Sequence, residues 1–186
     1  MKRALRMFGL AAAIAAPAAL SAQASSDKPV SFGVSGGLSL PMSDLGDAAE
    51  SGFTAAGHIY FKPASMASLG FRGDVSYDRW TTKFSDDVNL RSLGFVANAL
   101  YSVNSSSMVK PYLLGGVGMF NSKASVDLGS TSGDTESSND LGIQVGGGLR
   151  FQLSGFSTFL EAKYVNVFGD GDASAKWVPI TFGIRF

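Results

Sequence analysis

The last ten residues alternate without a break. Val178, Ile180, Phe182, Ile184 and Phe186 fall on one side, and Trp177, Pro179, Thr181, Gly183 and Arg185 fall on the other. A strand turns successive side chains to opposite faces, so this segment reads as a β-strand with one wholly apolar face. The same period of two recurs upstream. It predicts eight strands, near residues 29–40, 52–62, 68–79, 88–102, 109–120, 139–151, 156–168 and 176–186. No long helical period competes with them.

The start of the chain says where such strands would be needed. Lys2, Arg3 and Arg6 are followed by an Ala-rich apolar run over residues 9–20 and by Ala22-Gln23-Ala24. A basic start, a short apolar stretch and a small-x-small site make a secretory signal peptide, residues 1–24, which leaves a domain over residues 25–186. The run is too short to cross a bilayer, which takes about 20 apolar residues. Cleavage removes three of the fifteen Lys and Arg and none of the fifteen Asp and Glu, so the mature balance is twelve against fifteen, or minus three. That balance excludes a basic nucleic-acid binder. Cysteine is absent, which excludes a disulfide scaffold and a thiolate metal site.

Connection lengths alternate. Residues 63–67, 103–108 and 152–155 are short links; 41–51, 80–87, 121–138 and 169–175 are longer and hold most of the acidic residues. In an up-and-down sheet this puts tight turns on one rim and polar loops on the other, as in outer-membrane barrels with short periplasmic turns. Both termini are then periplasmic. The longest connection, 121–138, is rich in Ser, Thr, Gly and Asp and is expected to be a mobile loop.

A secreted barrel with its apolar side chains inside would also show eight alternating strands, so the deciding question is which face points outward. A water-exposed exterior would carry many Lys and Glu. The polar face here is mostly small: Ser31, Gly33, Ser35, Gly37 and Ser39 in the first strand, and Gly142, Gln144, Gly146 and Gly148 in the sixth. Small residues suit a narrow lumen. The other face, with Phe32, Val34, Leu38, Ile59, Val75, Ile143 and Val145, suits lipid. Aromatic residues gather near strand ends. Phe61, Phe71, Tyr101, Tyr112, Phe151 and Phe186 are expected at the periplasmic rim, and Phe53, Tyr77, Trp80, Phe120, Phe168 and Trp177 near the outer rim. The fold class is therefore all-β, a transmembrane eight-stranded antiparallel up-and-down β-barrel.

The segments Val109-Lys110-Pro111-Tyr112-Leu113-Leu114-Gly115-Gly116-Val117-Gly118, Phe159-Leu160-Glu161-Ala162-Lys163-Tyr164 and the C-terminal strand resemble the small eight-stranded outer-membrane β-barrel family, of the OmpA/OmpX type. The resemblance covers essentially all of the mature region. It implies a bacterial outer-membrane location, with Phe182, Ile184 and Phe186 as the signal read by the barrel assembly machinery. Thr181 stands where that signal often has glycine. The resemblance also implies that the periplasmic peptidoglycan-binding domain of longer family members is missing.

If the apolar face meets lipid, the inward set holds Lys62, Arg72, Asp74, Asp78, Arg150, Glu161, Lys163 and Arg185, with His58, Tyr60, Asn98 and Gln144. Charges in a low dielectric must pair. A network joining Arg72, Asp74, Glu161 and Lys163 across the middle of the lumen is expected, with Arg150 and Arg185 nearer the periplasm. Such a set could be a gated polar path or a plug, and an eight-stranded barrel is just wide enough for side chains to fill, which favours the plug.

Catalysis finds little support. His58, the only histidine, points inward, but no serine motif singles itself out as its nucleophile. The runs Gly115-Gly116-Val117-Gly118 and Gly146-Gly147-Gly148 lack the pattern and the following helix of a phosphate loop. Gly169-Asp170-Gly171-Asp172 lacks the further ligands of a calcium loop. No catalytic, cofactor or metal residue is assigned. The expected function is that of a non-enzymatic, monomeric outer-membrane protein with a structural, envelope-integrity or surface-interaction role. Outer-membrane lipid and lipopolysaccharide are its expected partners. A narrow pore for ions or small solutes is the alternative, and a lipid A-modifying enzyme a further one.

Overall fold

The computed structural model describes residues 29–66, 68–103, 108–128, 131–134, 138–169 and 174–186. The leader expected at residues 1–24 lies outside them. The strands are β1 (Val30–Met42), β2 (Gly52–Phe61), β3 (Leu69–Thr82), β4 (Ser85–Ser102), β5 (Val109–Leu128), β6 (Thr131–Asp134), β7 (Ser138–Gln152), β8 (Ser157–Phe168) and β9 (Ser174–Arg185). One short helix, α1 (Ser43–Ala48), follows β1.

Eight of these strands close a ring, in the order β1-β2-β3-β4-β5-β7-β8-β9, with every pairing antiparallel. The seam joins β1 to β9 from Gly33 opposite Arg185 to Met42 opposite Lys176. Phe186 extends it: its N–H donates to the Phe32 carbonyl at 2.9 Å, and the Phe32 N–H donates to the Phe186 carbonyl at 3.0 Å. Closure leaves the ring without a free edge, so its backbone polar groups can all be paired in hydrocarbon.

The two faces of the ring separate by parity. Leu113, Val117 and Leu141 are each more than 60 % exposed, whereas Arg72, Asp74 and Glu161 are each 3 % exposed or less. Apolar outside and charged inside is the inverse of a soluble protein, and it is the arrangement that lipid demands.

The strand boundaries differ from the expected ones at the rim that carries the long connections. Of the connection expected at 121–138, residues 121–128 and 131–134 are in strands: β5 runs on to Leu128, and β6 pairs back on it from Ser125 opposite Asp134 to Leu128 opposite Thr131. Likewise β3 continues to Thr82 and β4 begins at Ser85, and residues 43–48 are helical. A ladder is held by backbone hydrogen bonds, so a strand can continue after its apolar face ends.

Four aromatic residues expected at the rims lie inside instead. Tyr112, Trp80, Phe120 and Trp177 are all at least 94 % buried. Each shares parity with residues of the polar face, as Trp177 does with Thr181 and Arg185. Lys62, in turn, stands just beyond β2 and is exposed.

Candidate functional site

The lumen is filled in three layers. At the long-hairpin end, Ala49, Trp80, Val96, Phe120, Val165, Val167 and Trp177 form an apolar cluster, with Leu45 of α1 packed against it. The Trp177 ring meets Trp80 at 5.3 Å and 72°, and Phe120 at 5.7 Å and 88°, both edge-to-face. The Trp80 indole N–H donates to the Ser39 carbonyl at 3.2 Å, and the Ser39 hydroxyl donates to Asp78 at 2.9 Å. The β1–β2 connection folds over this layer, because Ala49 bridges to Thr82 and the Glu50 N–H donates to the Thr81 carbonyl.

The middle layer is polar. Arg72 on β3 donates through Nη1 and Nη2 to the two carboxylate oxygens of Glu161 on β8, at 2.7 and 2.9 Å. Arg72 Nη2 also reaches Asp74 at 2.9 Å, and its Nε lies 2.7 Å from the same carboxylate. Lys163 Nζ stands 3.5 Å from Glu161 and 3.8 Å from Asp74. Two cations thus face two anions. Tyr112 donates to Glu161 at 2.7 Å, Asn98 to Asp74 at 3.0 Å, and Gln144 to both Asn98 and Asp74. The fork of Arg suits bidentate recognition of a carboxylate, and the neutral hydrogen bonds occupy remaining lone pairs that a buried charge cannot leave bare.

His58 completes this layer. Its Nδ1 is 2.8 Å from Asp74, and its Nε2 is 2.8 Å from the Ser35 hydroxyl. Ser35, His58 and Asp74 therefore have the connectivity of a nucleophile, a base and an orienting carboxylate. Sequence reading missed the serine. The two contacts follow from register, with Gly33 opposite His58 on β1 and Asp74 opposite His58 on β3, and register is invisible in a single strand. Acyl transfer needs more than connectivity: an opening beside the hydroxyl and donors aimed at a developing oxyanion. Here the Phe159 ring packs edge-on against His58 at 5.6 Å, and Asp74 is already engaged by Arg72 and Asn98.

At the short-turn end, Tyr60, Leu100, Tyr112, Leu114 and Phe159 form a second apolar cluster. Arg185 lies below it, its guanidinium 4.2 Å from the Tyr60 ring centre and its Nε donating to Ser31 at 2.8 Å. Arg150 lines the same mouth. Arg150 and Arg185 thus stand apart from the four central charges. Phe182 and Ile184 face outward on β9, and Phe186 closes the seam. Among the described residues no group of three His, Asp or Glu side chains converges as metal ligands would.

Glycines make room for this filling. A Cβ on Gly148 would sit 2.6 Å from the Tyr112 hydroxyl, and one on Gly94 or Gly142 would sit 2.8 or 2.7 Å from the Phe120 ring. The small residues of the inner face are the sockets of its large ones.

A closed ring with an apolar outer belt and an interior packed around a polar layer defines a small transmembrane β-barrel. Within that class, the chain belongs to the family described as outer membrane protein beta-barrel domain, whose model matches residues 8–186. No curated protein sequence matches it. Among solved structures it is similar to Neisserial surface protein A, at 22 % identity over 85 % of this chain and 96 % of that one, with a TM-score of 0.61. It is also similar to Ail, the attachment invasion locus protein of Yersinia pestis, at 21 % identity over 84 % and 97 %, with a TM-score of 0.51. The outer membrane enzyme PagL is more distant, at 18 % identity over 84 % and 98 %, with a TM-score of 0.48. At these identities the likeness is one of fold.

Proposed function

We propose that this is a non-enzymatic barrel of the bacterial outer membrane whose interior is a structural plug, leaving its outer surface and long hairpins to serve envelope integrity or surface contact. The observation that carries this reading is the layering of the lumen: a charge-balanced polar layer between two apolar clusters, with α1 and the β1–β2 connection across one end. Water and ions crossing such a lumen would have to displace packed rings and part buried ion pairs. The test is planar-bilayer recording on protein whose folding is verified by heat-dependent gel mobility. Little or no conductance is expected, and steady, large channels would replace the plug with a pore.

The Ser35–His58–Asp74 chain favours a second reading, an esterase or lipid-modifying enzyme. A fluorophosphonate probe discriminates the two. A sealed network leaves Ser35 unlabelled, whereas labelling that is lost in both Ser35→Ala and His58→Ala would make the chain of contacts a working triad.

A further inference from the structure

The mouth at the short-turn end carries charge that the plug does not explain. Arg150 on β7 lies directly opposite Lys110 on β5. Both have inward parity, Arg150 with the buried Gln144 and Lys110 with the buried Tyr112 and Leu114. Arg185 enters the same mouth from β9, and Lys62 stands at its lip just after β2. In the ring of eight, β2 and β7 are four strands apart in either direction, so Lys62 and Arg150 stand on opposite sides of the opening. An eight-stranded barrel is just wide enough for side chains to fill, so cations on opposite walls approach a common point.

No acidic side chain answers them. Among the described residues none of the four cations has an ion pair. Apart from Asp74 and Glu161 of the middle layer, the described Asp and Glu lie toward the other end, on α1, its connection to β2 and the upper parts of β3 to β7. The terminal Phe186 has outward parity, and its carbonyl accepts from the Phe32 N–H at 3.0 Å. Arg185 has only neutral partners, the Ser31 hydroxyl and the Tyr60 ring. The Nε–H of Arg150 is buried with no acceptor at all. A buried donor left bare keeps its full desolvation cost, which makes it the exception among native polar groups. Between these side chains is a cavity of about 30 Å³, lined by Tyr60, Lys62, Ser102, Arg150 and Arg185. Tyr60 and Leu100 of the second apolar cluster close it from within. It has room for one compact group, with the rest of a ligand left in the aqueous phase.

We propose that this mouth is a binding site for a soluble oxyanion of the phosphate class carrying two or more charges, one phosphate group held between Arg150 and Arg185 and the remaining charge met by Lys62 and Lys110. Guanidinium forks match phosphate oxygens in pairs, and Ser102 adds a hydroxyl donor. Like charges directly opposite on a sheet repel, so an anion between Lys110 and Arg150 is favoured both by its own attraction and by the repulsion it relieves. A carboxylate brings one charge to four cations, whereas a phosphate monoester or diphosphate brings two or more in a similar volume. The inward parity of Lys110, Arg150 and Arg185 places the site in the aqueous mouth and not on the lipid-facing wall.

The test is isothermal titration calorimetry on the folded full domain in dodecyl maltoside at low salt, with pyrophosphate as the probe and acetate at matched ionic strength as the singly charged control. The wild type should bind pyrophosphate saturably and at least about tenfold more tightly than acetate. Arg150→Gln should weaken that binding about tenfold or more, and Lys110→Gln severalfold. Lys176→Gln, which removes a cation from the far end of the Arg185 strand, should leave it unchanged. Heat-dependent gel mobility without ligand separates a binding role from a structural one: Arg150→Gln relieves an unanswered buried charge, so it should unfold at the same temperature as the wild type or higher. Lys110→Gln decides the matter if Arg150→Gln does not fold. Equal binding of the two anions, undiminished binding in a folded Arg150→Gln or Lys110→Gln, or an equal loss in Lys176→Gln would overturn the proposal.

Discussion

Arg72 and Glu161 reach across the inside of the barrel and join β3 to β8, two strands that share no ladder, through two parallel hydrogen bonds of 2.7 and 2.9 Å. Removing one partner unbalances the charge of the lumen, even though Arg72 keeps Asp74 and Glu161 keeps Lys163 and Tyr112. Glu161→Ala is expected to lower stability by about 3–5 kcal/mol, because the layer keeps two buried cations against a single carboxylate, that of Asp74. Arg72→Met/Glu161→Leu should recover much of that loss. Urea titration of vesicle-refolded protein measures both, and a Glu161→Ala cost below about 1 kcal/mol would show that the pair is dispensable.

Trp177, 1 % exposed, is the centre of the upper apolar layer. Trp177→Ala should cost about 3–5 kcal/mol, the range for emptying a large aromatic site. It should also admit small ions if that layer is a seal. A destabilised yet electrically silent variant would assign the barrier to the polar layer alone.

Arg placed at Val145, on the lipid face of β7, is expected to cost about 2–4 kcal/mol near the midplane. Arg at Glu50, exposed on the β1–β2 connection, should change stability by no more than about 0.5 kcal/mol. Equal tolerance at the two sites would mean that the outer face does not meet hydrocarbon.

Deleting Phe186 removes two backbone hydrogen bonds from the end of the β1–β9 seam and the aromatic terminus that resembles an assembly signal. The expected result is a lower yield of folded barrel in the membrane of cells, with a smaller effect on refolding from urea. Normal membrane levels of the truncated chain would show that its terminus is not read in this way.

Ser35→Ala should cost about 1 kcal/mol, the worth of one ordinary hydrogen bond, since His58 keeps its bond to Asp74. Membrane lipid profiles should not change. A shift in acyl composition would favour the enzymatic reading.

Period two makes the closed barrel and the membership of its faces legible from the chain, since parity needs only one strand. Arg72, Asp74, Glu161 and Lys163 all carry inward parity, so their meeting in one lumen is a short step. Contacts that depend on stagger between strands are a different matter. Nothing in β1 alone brings Ser35 to His58, and nothing in β3 alone puts Asp74 beside it; the ladders do that. Trp80, Phe120 and Trp177 are misread for another reason. Aromatic residues are common both at membrane interfaces and in packed interiors, and near a strand end their chemistry does not choose between the two, although their parity does. The hairpin extension of β5 and β6 is hidden because its ladder continues beyond the apolar belt on which the strand pattern rests.

The sockets left by glycine act as a proofreading code for strand alignment. Phe159 stands opposite Gly183 across β8 and β9, and Phe120 stands opposite Gly94 across β4 and β5. A slip of two residues keeps every side chain on its proper face, so the lipid belt would not detect it. The rings would. Such a slip sets Phe159 against Thr181 or Arg185, and Phe120 against Ser92 or Val96, where no socket exists. Hydrophobicity thus chooses the face, and the match of ring to glycine chooses the stagger and with it the girth of the finished barrel.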